Sequence, residues 1–200
     1  GNELVIENAT ECWIKISSVT NYDYATGNLS TEDIIEKAFQ YIEKAKPTPY
    51  SAAKQKSTAA YQQLFNRCRW NMPDSKPGTT VTTNQRLINY NKGEEDLQLP
   101  VLYFNFGRYL LISSSRPGLL PANLQGLWAV EYQTPWNGDY HLNINIQMND
   151  WPAELTNLGA LAEPMHRFTS SLVSNGAKTA KAYYEELLVL EELQIKAVLR

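Results

Sequence analysis

The spacing of apolar residues changes from strand-like to helix-like near the beginning of the chain. Residues 4–7 and 12–19 alternate or run apolar and β-branched, with a short polar break between them, a pattern that predicts a β-hairpin. A hairpin alone is only marginally stable in water, so a larger sheet is expected around it. From Ser30 the apolar positions recur at helical spacing. This predicts a helix that begins with Ser30 or Thr31 as its N-cap and ends before Pro47.

Helical spacing dominates most of the remaining chain. A second helix is predicted from Ser51 to Arg69, and a long helix over residues 94–113 is apolar nearly all round, which indicates burial in a helical assembly. Residues 71–85, rich in Pro, Gly and Thr, are predicted to connect the two. Further helices are predicted over 153–161, 164–175 and 177–200, with Gly176 as the stop between the last two.

Residues 114–150 interrupt these helices without a sustained helical or strand period. A loop of this length in a compact domain is usually functional. Near its end, residues 142–148 alternate apolar and polar, which predicts an extended segment with Asn143, Asn145 and Gln147 on one face. Because an amide is costly to bury without partners, such a row marks either a polar site or a loop whose backbone the amides bond.

Residue type alone favours a structural role for these polar groups. Asparagine commonly bonds nearby backbone groups, and Asn123 and Gln125 are predicted to brace their own loop in this way. His141 by itself would be a loop histidine with satisfied hydrogen bonds. Trp128 and Trp136 would be core packing or the wall of a cleft.

Composition and charge exclude several classes of function. An apolar share of 43% is enough for a core, while a net charge of −3 with scattered basic residues argues against nucleic acid as a partner. No metal-ligand spacing or glycine-rich phosphate loop is found in the sequence, so no metal or cofactor is expected. No apolar run reaches the length of a membrane span, and the first residues lack the pattern of a signal peptide. The two cysteines, Cys12 and Cys68, leave one disulfide and two free thiols equally open.

Two long blocks of sequence carry a family resemblance. They are GRYLLISSSRPGLLPANLQGLW over residues 107–128 and TPWNGDYHLNINIQMNDWPAELTNL over residues 134–158. Both resemble the catalytic core of family 95 glycoside hydrolases, which are inverting α-L-fucosidases and related α-L-galactosidases. Weaker similarity through AAYQQLFNRC, TTNQRL and ISSVTNY extends the resemblance from residue 1 to about residue 184. The sequence departs from the family at Asp150, where an aromatic residue is usual, and at Lys56, near a common histidine position.

The resemblance implies a mainly α chain that forms part of an (α/α)6 barrel catalytic domain. A short β-strand pair before it would be left from an N-terminal β-domain. The expected division is residues 1–24 for the end of that β-domain, 25–93 for a helical linker and 94–200 for the first part of the barrel. Such a barrel needs twelve helices and about six are predicted, so the chain is expected to be a fragment.

The resemblance also implies roles for individual residues. Amides corresponding to Asn143 and Asn145 would hold and polarise the attacking water, aided by a carboxylate from farther along the sequence. His141 would contact the sugar, and Trp136 and Trp128 would line its pocket. An inverting glycosidase separates its two catalytic groups by roughly 6.5–9.5 Å to admit the water. The general acid and the assisting carboxylate are both expected beyond residue 200.

The expected function is release of L-fucose from a fucosylated oligosaccharide or glycan by an exo-acting inverting α-L-fucosidase. Three alternatives stay open: an α-L-galactosidase of the same family, an inactive fragment that binds sugar weakly or not at all, and a helical interaction module. No nucleic-acid or membrane partner is expected, and the oligomeric state is not determined by the sequence. The full-length form is predicted to be secreted or periplasmic.

Overall fold

The computed structural model describes residues 3–23, 28–72 and 80–184 and is mainly helical there, as predicted. Within this range it contains one small antiparallel sheet, formed by β1 (Tyr22–Asp23) and β2 (Asn28–Leu29). The chain divides into two compact units, residues 1–60 and residues 61–200. In chain order the helices are α1 (Ile34–Ala45), α2 (Tyr50–Phe65), α3 (Thr83–Asn91), α4 (Gln98–Ser114), α5 (Asn145–Asp150), α6 (Pro152–Leu155) and α7 (Glu163–Tyr184).

The predicted hairpin over residues 4–7 and 12–19 is wrong. Residues 3–21 form no strand, and the strand pair lies farther along the chain, where Tyr22 pairs with Leu29. Alternation decides which side chains share a face, but it cannot supply the neighbouring strand whose backbone groups a strand must bond. The segment's apolar residues are correspondingly open to solvent, and none of the described residues between 3 and 60 is buried.

The first helix begins later than the sequence predicted. Its N-cap is Asp33, whose carboxylate oxygen accepts the backbone N–H groups of Ile35 and Glu36 at 3.0 Å each. Ser30 and Thr31 were plausible by residue type, but a carboxylate adds attraction to the positive end of the helix dipole. The predicted cap is therefore wrong by one turn or less, while the helix itself is confirmed.

A lysine closes the other end of α1. The Lys15 ammonium group donates to the backbone carbonyls of Ala45, Lys46 and Thr48, and it also lies 4.6 Å from the centre of the Trp13 ring. The last carbonyls of a helix lack partners within the helix and attract positive charge. Lys15 therefore ties the irregular N-terminal segment to α1.

A helix begins within the segment over residues 71–85 that was predicted to be a connector. Residues 73–79 lie outside the described residues, but α3 begins at Thr83, with the Thr82 hydroxyl accepting a backbone N–H of the first turn. Asp96 then joins α3 to α4. Its carboxylate accepts two hydrogen bonds from Arg86, at 2.7 and 2.9 Å, and two backbone N–H groups at the start of α4. The Arg86 hydrogen bonds hold the pKa of Asp96 below its usual range.

A buried arginine lies in the middle of the apolar helix α4. Arg108 is 1% exposed, and its guanidinium donates to the carbonyls of Phe65 at 2.8 Å, Cys68 at 2.9 Å and Leu64 at 3.2 Å. These carbonyls belong to the end of α2 and the residues just after it, where a helix leaves its carbonyls without intrahelical partners. The Leu64 carbonyl also accepts the backbone N–H of Arg67 at 3.2 Å. The predicted burial of α4 holds for one side only, since Tyr103 and Phe106 are exposed. The apolar pattern gave no sign that α4 carries the cap of another helix.

The core lies between the second half of α4, α6 and the 3-10 turn Gly159–Ala162. The single helix predicted over residues 153–161 is broken at Asn157, which adopts a left-handed φ of 58°. Each fully buried aliphatic side chain contributes roughly 1.5–3 kcal/mol by leaving water. The buried members are Leu111, Ile112, Ala153, Leu158, Leu161 and Ala162, with Tyr61, Leu64 and Phe65 packed against them.

The last described helix runs farther than the sequence predicted. α7 continues through Gly176, so the predicted stop at that residue is wrong. A glycine inside a helix costs about 1 kcal/mol relative to alanine, which is too little to end a long helix. The predicted continuation over residues 185–200 lies outside the described residues. None of the described helices is both long and apolar enough to cross a membrane.

Candidate active site

A strained turn projects a tryptophan from the long loop. The turn spans Pro135–Gly138, and both Trp136 (φ 51°) and Asn137 (φ 56°) adopt left-handed backbone conformations. Bulky residues rarely adopt this conformation, and such strain persists only where the surroundings enforce it. The Trp136 side chain is 71% exposed, so packing of its own ring does not explain the turn.

The Pro121–Gly126 loop holds this turn in place. The Gln125 side-chain amide donates to the carbonyl of Pro135 at 2.9 Å, and its backbone N–H donates to the Asn123 side chain at 3.1 Å. Gly138 allows the close approach, because a Cβ there would lie 3.2 Å from both the Asn123 and the Gln125 amides. The prediction that these two amides brace loop backbone is confirmed, and the bracing extends to the Trp136 turn.

The segment predicted to be extended is instead a turn followed by α5. Asn143 lies exposed in the turn, and Asn145 is the first, partly buried residue of the helix. The backbone N–H of Ile146 donates to the carbonyl of His141 at 3.1 Å, which closes the turn. Period-two alternation therefore does not place Asn143 and Asn145 side by side, and that argument is wrong. Both amides nevertheless lie on one short stretch that is open to solvent.

The other sugar-contact candidates differ in exposure. His141 is partly buried at the start of the turn before α5. The Trp128 ring lies against Gly126, where an added Cβ would come within 2.7 Å of the ring. Trp128 is 45% exposed, so one part of it packs on the loop while the rest remains accessible. Among the candidates, Trp136 offers the most open aromatic surface.

Two further amides of α5 fix its position. The Asn149 side chain donates to the carbonyl of Asn123 at 3.0 Å, and the Gln147 side chain donates to the carbonyl of Leu142. The alternating pattern predicts Gln147 on one face with the two candidate catalytic amides, but its amide donates to the Leu142 carbonyl and closes the preceding turn. Asn149 was not singled out as a site residue, and only its membership of the asparagine-rich block could have pointed to it.

A buried carboxyl group ends α5. Asp150 is 7% exposed, one of its oxygens has no hydrogen-bond partner among the described residues, and burial raises its pKa to about 6. Loss of hydration penalises the charged form of a carboxyl group, which explains the direction of this shift. This is the position at which the resemblance predicts an aromatic residue. In this chain a carboxyl group occupies it.

An apolar groove of about 700 Å³ runs between α3 and α4 and includes Leu87, Tyr90, Leu99 and Phe106 but none of these amides. It presents almost no polar groups, whereas a sugar requires hydrogen-bonding side chains to orient its hydroxyls. We therefore place the candidate site at the loop and α5. Among the described residues, no cluster of three or more His, Cys, Asp or Glu side chains could hold a metal ion.

Comparison with known proteins accords with the resemblance. The "Probable alpha-fucosidase A" of Aspergillus niger is 38% identical over 187 residues, which cover 90% of this chain and 24% of the relative. The "Alpha-L-fucosidase 2" of Arabidopsis thaliana is 36% identical over 189 residues, covering 92% and 22%. A second fungal protein, the "Probable alpha-fucosidase A" of Aspergillus oryzae, is 34% identical over 186 residues, covering 88% and 26%.

The chain thus spans about a quarter of the length of these relatives. The family profile described as the glycosyl hydrolase family 95 catalytic domain matches residues 49–190, which include the strained turn, α5 and the core beneath them. Because that match covers more than half of the sequence, the chain belongs to the family of glycosyl hydrolase family 95 catalytic domains.

Proposed function

We propose that this chain supplies the water-positioning part of an exo-acting, inverting α-L-fucosidase that releases L-fucose from fucosylated glycans. The observation that carries the proposal is the location of Asn143 and Asn145. Exposed Asn143 lies in the turn before α5 and partly buried Asn145 begins the helix, both within the matched catalytic domain. Hydrogen bonds connect that helix to the turn that exposes Trp136. Names of the relatives support the substrate class, since each is called a fucosidase.

The proposed role of the two amides follows from their chemistry. A side-chain carbonyl is a neutral acceptor that can orient a water by accepting a hydrogen bond from it. Two such acceptors fix the water without the mutual repulsion that two carboxylates would suffer. No side-chain hydrogen bond occupies Asn143 or Asn145 among the described residues, so both remain available to a water or to an assisting carboxylate.

We further propose that the helices of residues 94–184 form part of an (α/α)6 barrel. The mainly helical structure and the match to the family's catalytic domain support this architecture. The division into an end of a β-domain, a helical linker and a barrel segment stays a prediction, as does secretion or a periplasmic location of the full-length form.

His141, Trp136 and Trp128 are proposed to contact the sugar. L-fucose is L-galactose without the oxygen at C6, so its C5 methyl group suits an aromatic or histidine-lined wall. An apolar pocket discriminates against an added hydroxyl by only about a hundredfold. We therefore expect α-L-fucosides to be the preferred substrates and α-L-galactosides to be slower ones.

The test uses a chimera in which this chain replaces the aligned segment of the Aspergillus niger relative, with the 200-residue chain alone measured alongside. We expect the chimera to hydrolyse an aryl α-L-fucoside faster than the α-L-galactoside. Proton NMR should detect β-L-fucose as the first product, the mark of inversion. The 200-residue chain should show little or no turnover.

Each other outcome contradicts a named part of the proposal. Equal rates on the two glycosides remove the preference for fucose. α-L-fucose as the first product excludes an inverting mechanism. Sugar binding without turnover in a folded chimera supports a binding module instead. Neither binding nor turnover supports an inactive fragment or a helical interaction module.

A further inference from the structure

Asn149 lies on the same face of α5 as Asn145. The two residues are four positions apart, which brings their side chains to neighbouring places on one helical stripe. The Asn149 side-chain amide donates a hydrogen bond to the Asn123 carbonyl, 26 residues earlier in the chain, at 3.0 Å. One face of α5 therefore carries the partly buried Asn145 and is anchored to the Pro121–Gly126 loop.

The hydrogen bonds continue from that loop to the strained turn. The Asn123 side chain accepts the Gln125 backbone N–H at 3.1 Å, and the Gln125 side chain donates to the Pro135 carbonyl at 2.9 Å. Pro135 directly precedes Trp136, the exposed residue in the left-handed conformation. Asn149, Asn123 and Gln125 thus form a continuous path of hydrogen bonds from α5 to the Trp136 turn.

The physical need for this path lies in the strain of the turn. Two consecutive non-glycine residues in left-handed conformation are held only if their surroundings outweigh a cost of about 1–3 kcal/mol each. The hydrogen bond from Gln125 is made to the carbonyl immediately before them. A shift of the Pro121–Gly126 loop would therefore displace both the Trp136 ring and the helix that carries Asn145.

We propose that Asn149 is a positioning residue, which acts through Asn123 and Gln125 to fix the Trp136 turn relative to Asn145. This inference rests on the proposed function, because it assigns a purpose to the spacing between a sugar-contacting ring and a water-holding amide. A displacement of about 1 Å in such a spacing can lower a rate about a hundredfold.

The first experiment needs no activity and uses the 200-residue chain labelled with 5-fluorotryptophan. The Trp136 signal is assigned by its loss in Trp136→Phe. Asn149→Asp keeps the shape of the side chain but removes the donor to Asn123, so the Trp136 fluorine signal should shift or split. The matched control is Asn157→Asp, because Asn157 also donates its side-chain amide to a distant backbone carbonyl, that of Arg67 at 3.3 Å. This control should leave the Trp136 signal unchanged.

A second variant separates the two links of the path. Gln125→Glu removes only the donor to Pro135, so it should move the Trp136 signal while hydrogen exchange at the α5 amides of Ile146 and Met148 stays unchanged. Asn149→Asp should alter both. A Trp136 signal that is unchanged in Asn149→Asp, or altered equally in Asn157→Asp, overturns the proposed path.

The kinetic experiment distinguishes this inference from the proposed function. In the chimera, Asn149→Asp should lower kcat at least about tenfold, with KM changed less, and it should add nothing in the Asn145→Ala background. Normal kcat in Asn149→Asp, together with a large loss in Asn145→Ala, overturns the positioning role and leaves the proposed function standing. Normal kcat in Asn145→Ala overturns the proposed function itself, and the fluorine measurement then still decides whether the path exists.

Discussion

At the scale of single residues, Arg108 contributes more to the stability of the fold than the apolar sequence around it indicates. It donates to three carbonyls at and after the end of α2, and hydrogen bonds from a charged group contribute about 1.5–3 kcal/mol each. Arg108→Met should therefore lower the free energy of unfolding by at least about 3 kcal/mol in a urea titration. Arg108→Lys should retain only part of the stability that Arg108→Met loses, since an ammonium group lacks the planar set of donors of a guanidinium.

The control for Arg108 is another arginine that donates to a backbone carbonyl. Exposed Arg67 bonds the carbonyl of Gln63 at 3.2 Å, and Arg67→Met should change stability by no more than about 0.5 kcal/mol. Similar losses in the two variants would show that Arg108 contributes no more than a surface hydrogen bond.

Asp150 gives a prediction about pH. Its pKa is raised by burial from 3.8 to about 6, so the folded state holds its proton more tightly than the unfolded state. Its contribution to stability is then fully present below about pH 3.8 and is lost as pH rises through about 6. Asp150→Asn should remove this decline and raise the melting temperature at pH 7 relative to the parent chain.

The measurement for Asp150 is the difference in melting temperature between variant and parent from pH 4 to pH 7. Exposed Asp139, near the strained turn, supplies the control Asp139→Asn. A difference that stays constant across this range, or that equals the one for Asp139→Asn, would contradict the assignment of a buried carboxyl group with a raised pKa.

At the scale of elements, two glycines should respond to alanine in opposite directions. Gly107 lies within α4 with nothing near the position of an added Cβ, whereas Gly126 has a φ of +66° and would place a Cβ 2.7 Å from the Trp128 ring. Gly107→Ala should stabilise the chain by about 0.5–1 kcal/mol through helix propensity. Gly126→Ala should destabilise it by more than that amount. Chemical denaturation of both variants tests the pair, and the same sign for both would contradict the described backbone.

Sequence patterns predicted the longer helices because apolar residues recur there at helical spacing over many residues. The α1, α2 and α4 helices follow such repeats, although their ends moved by several residues. The failures occur where the pattern is short. Seven alternating residues over 142–148 also fit a turn followed by α5, and the threonine-rich start of α3 resembles a connector. The strand-like alternation before residue 20 does not specify a partner strand, and among the described residues no partner strand pairs with residues 3–19.

At the scale of the whole molecule, the site was located by resemblance and not by residue chemistry. Residue type alone favoured a structural role for the amides of Asn143 and Asn145. The extended segment that was predicted to place them side by side is absent from the structure, where a turn and α5 occupy these residues. What sequence could supply was the long block that contains them, which the family match supports. The path from Asn149 to the Trp136 turn was beyond prediction, because it joins residues 26 and 10 positions apart through a loop with no periodic pattern.

The most direct test of the central claim compares kcat with melting temperature for Asn143→Ala and Asn145→Ala in the chimera, with exposed Asn84→Ala as the control. If the two amides hold one attacking water, each substitution should lower kcat by about 10²–10⁴. The double variant should lose little more than either single one. Melting temperatures should remain at the parent value, because neither amide anchors the fold. Near-normal kcat, or a fall in rate matched by a fall in melting temperature, would contradict the assignment and make both amides structural.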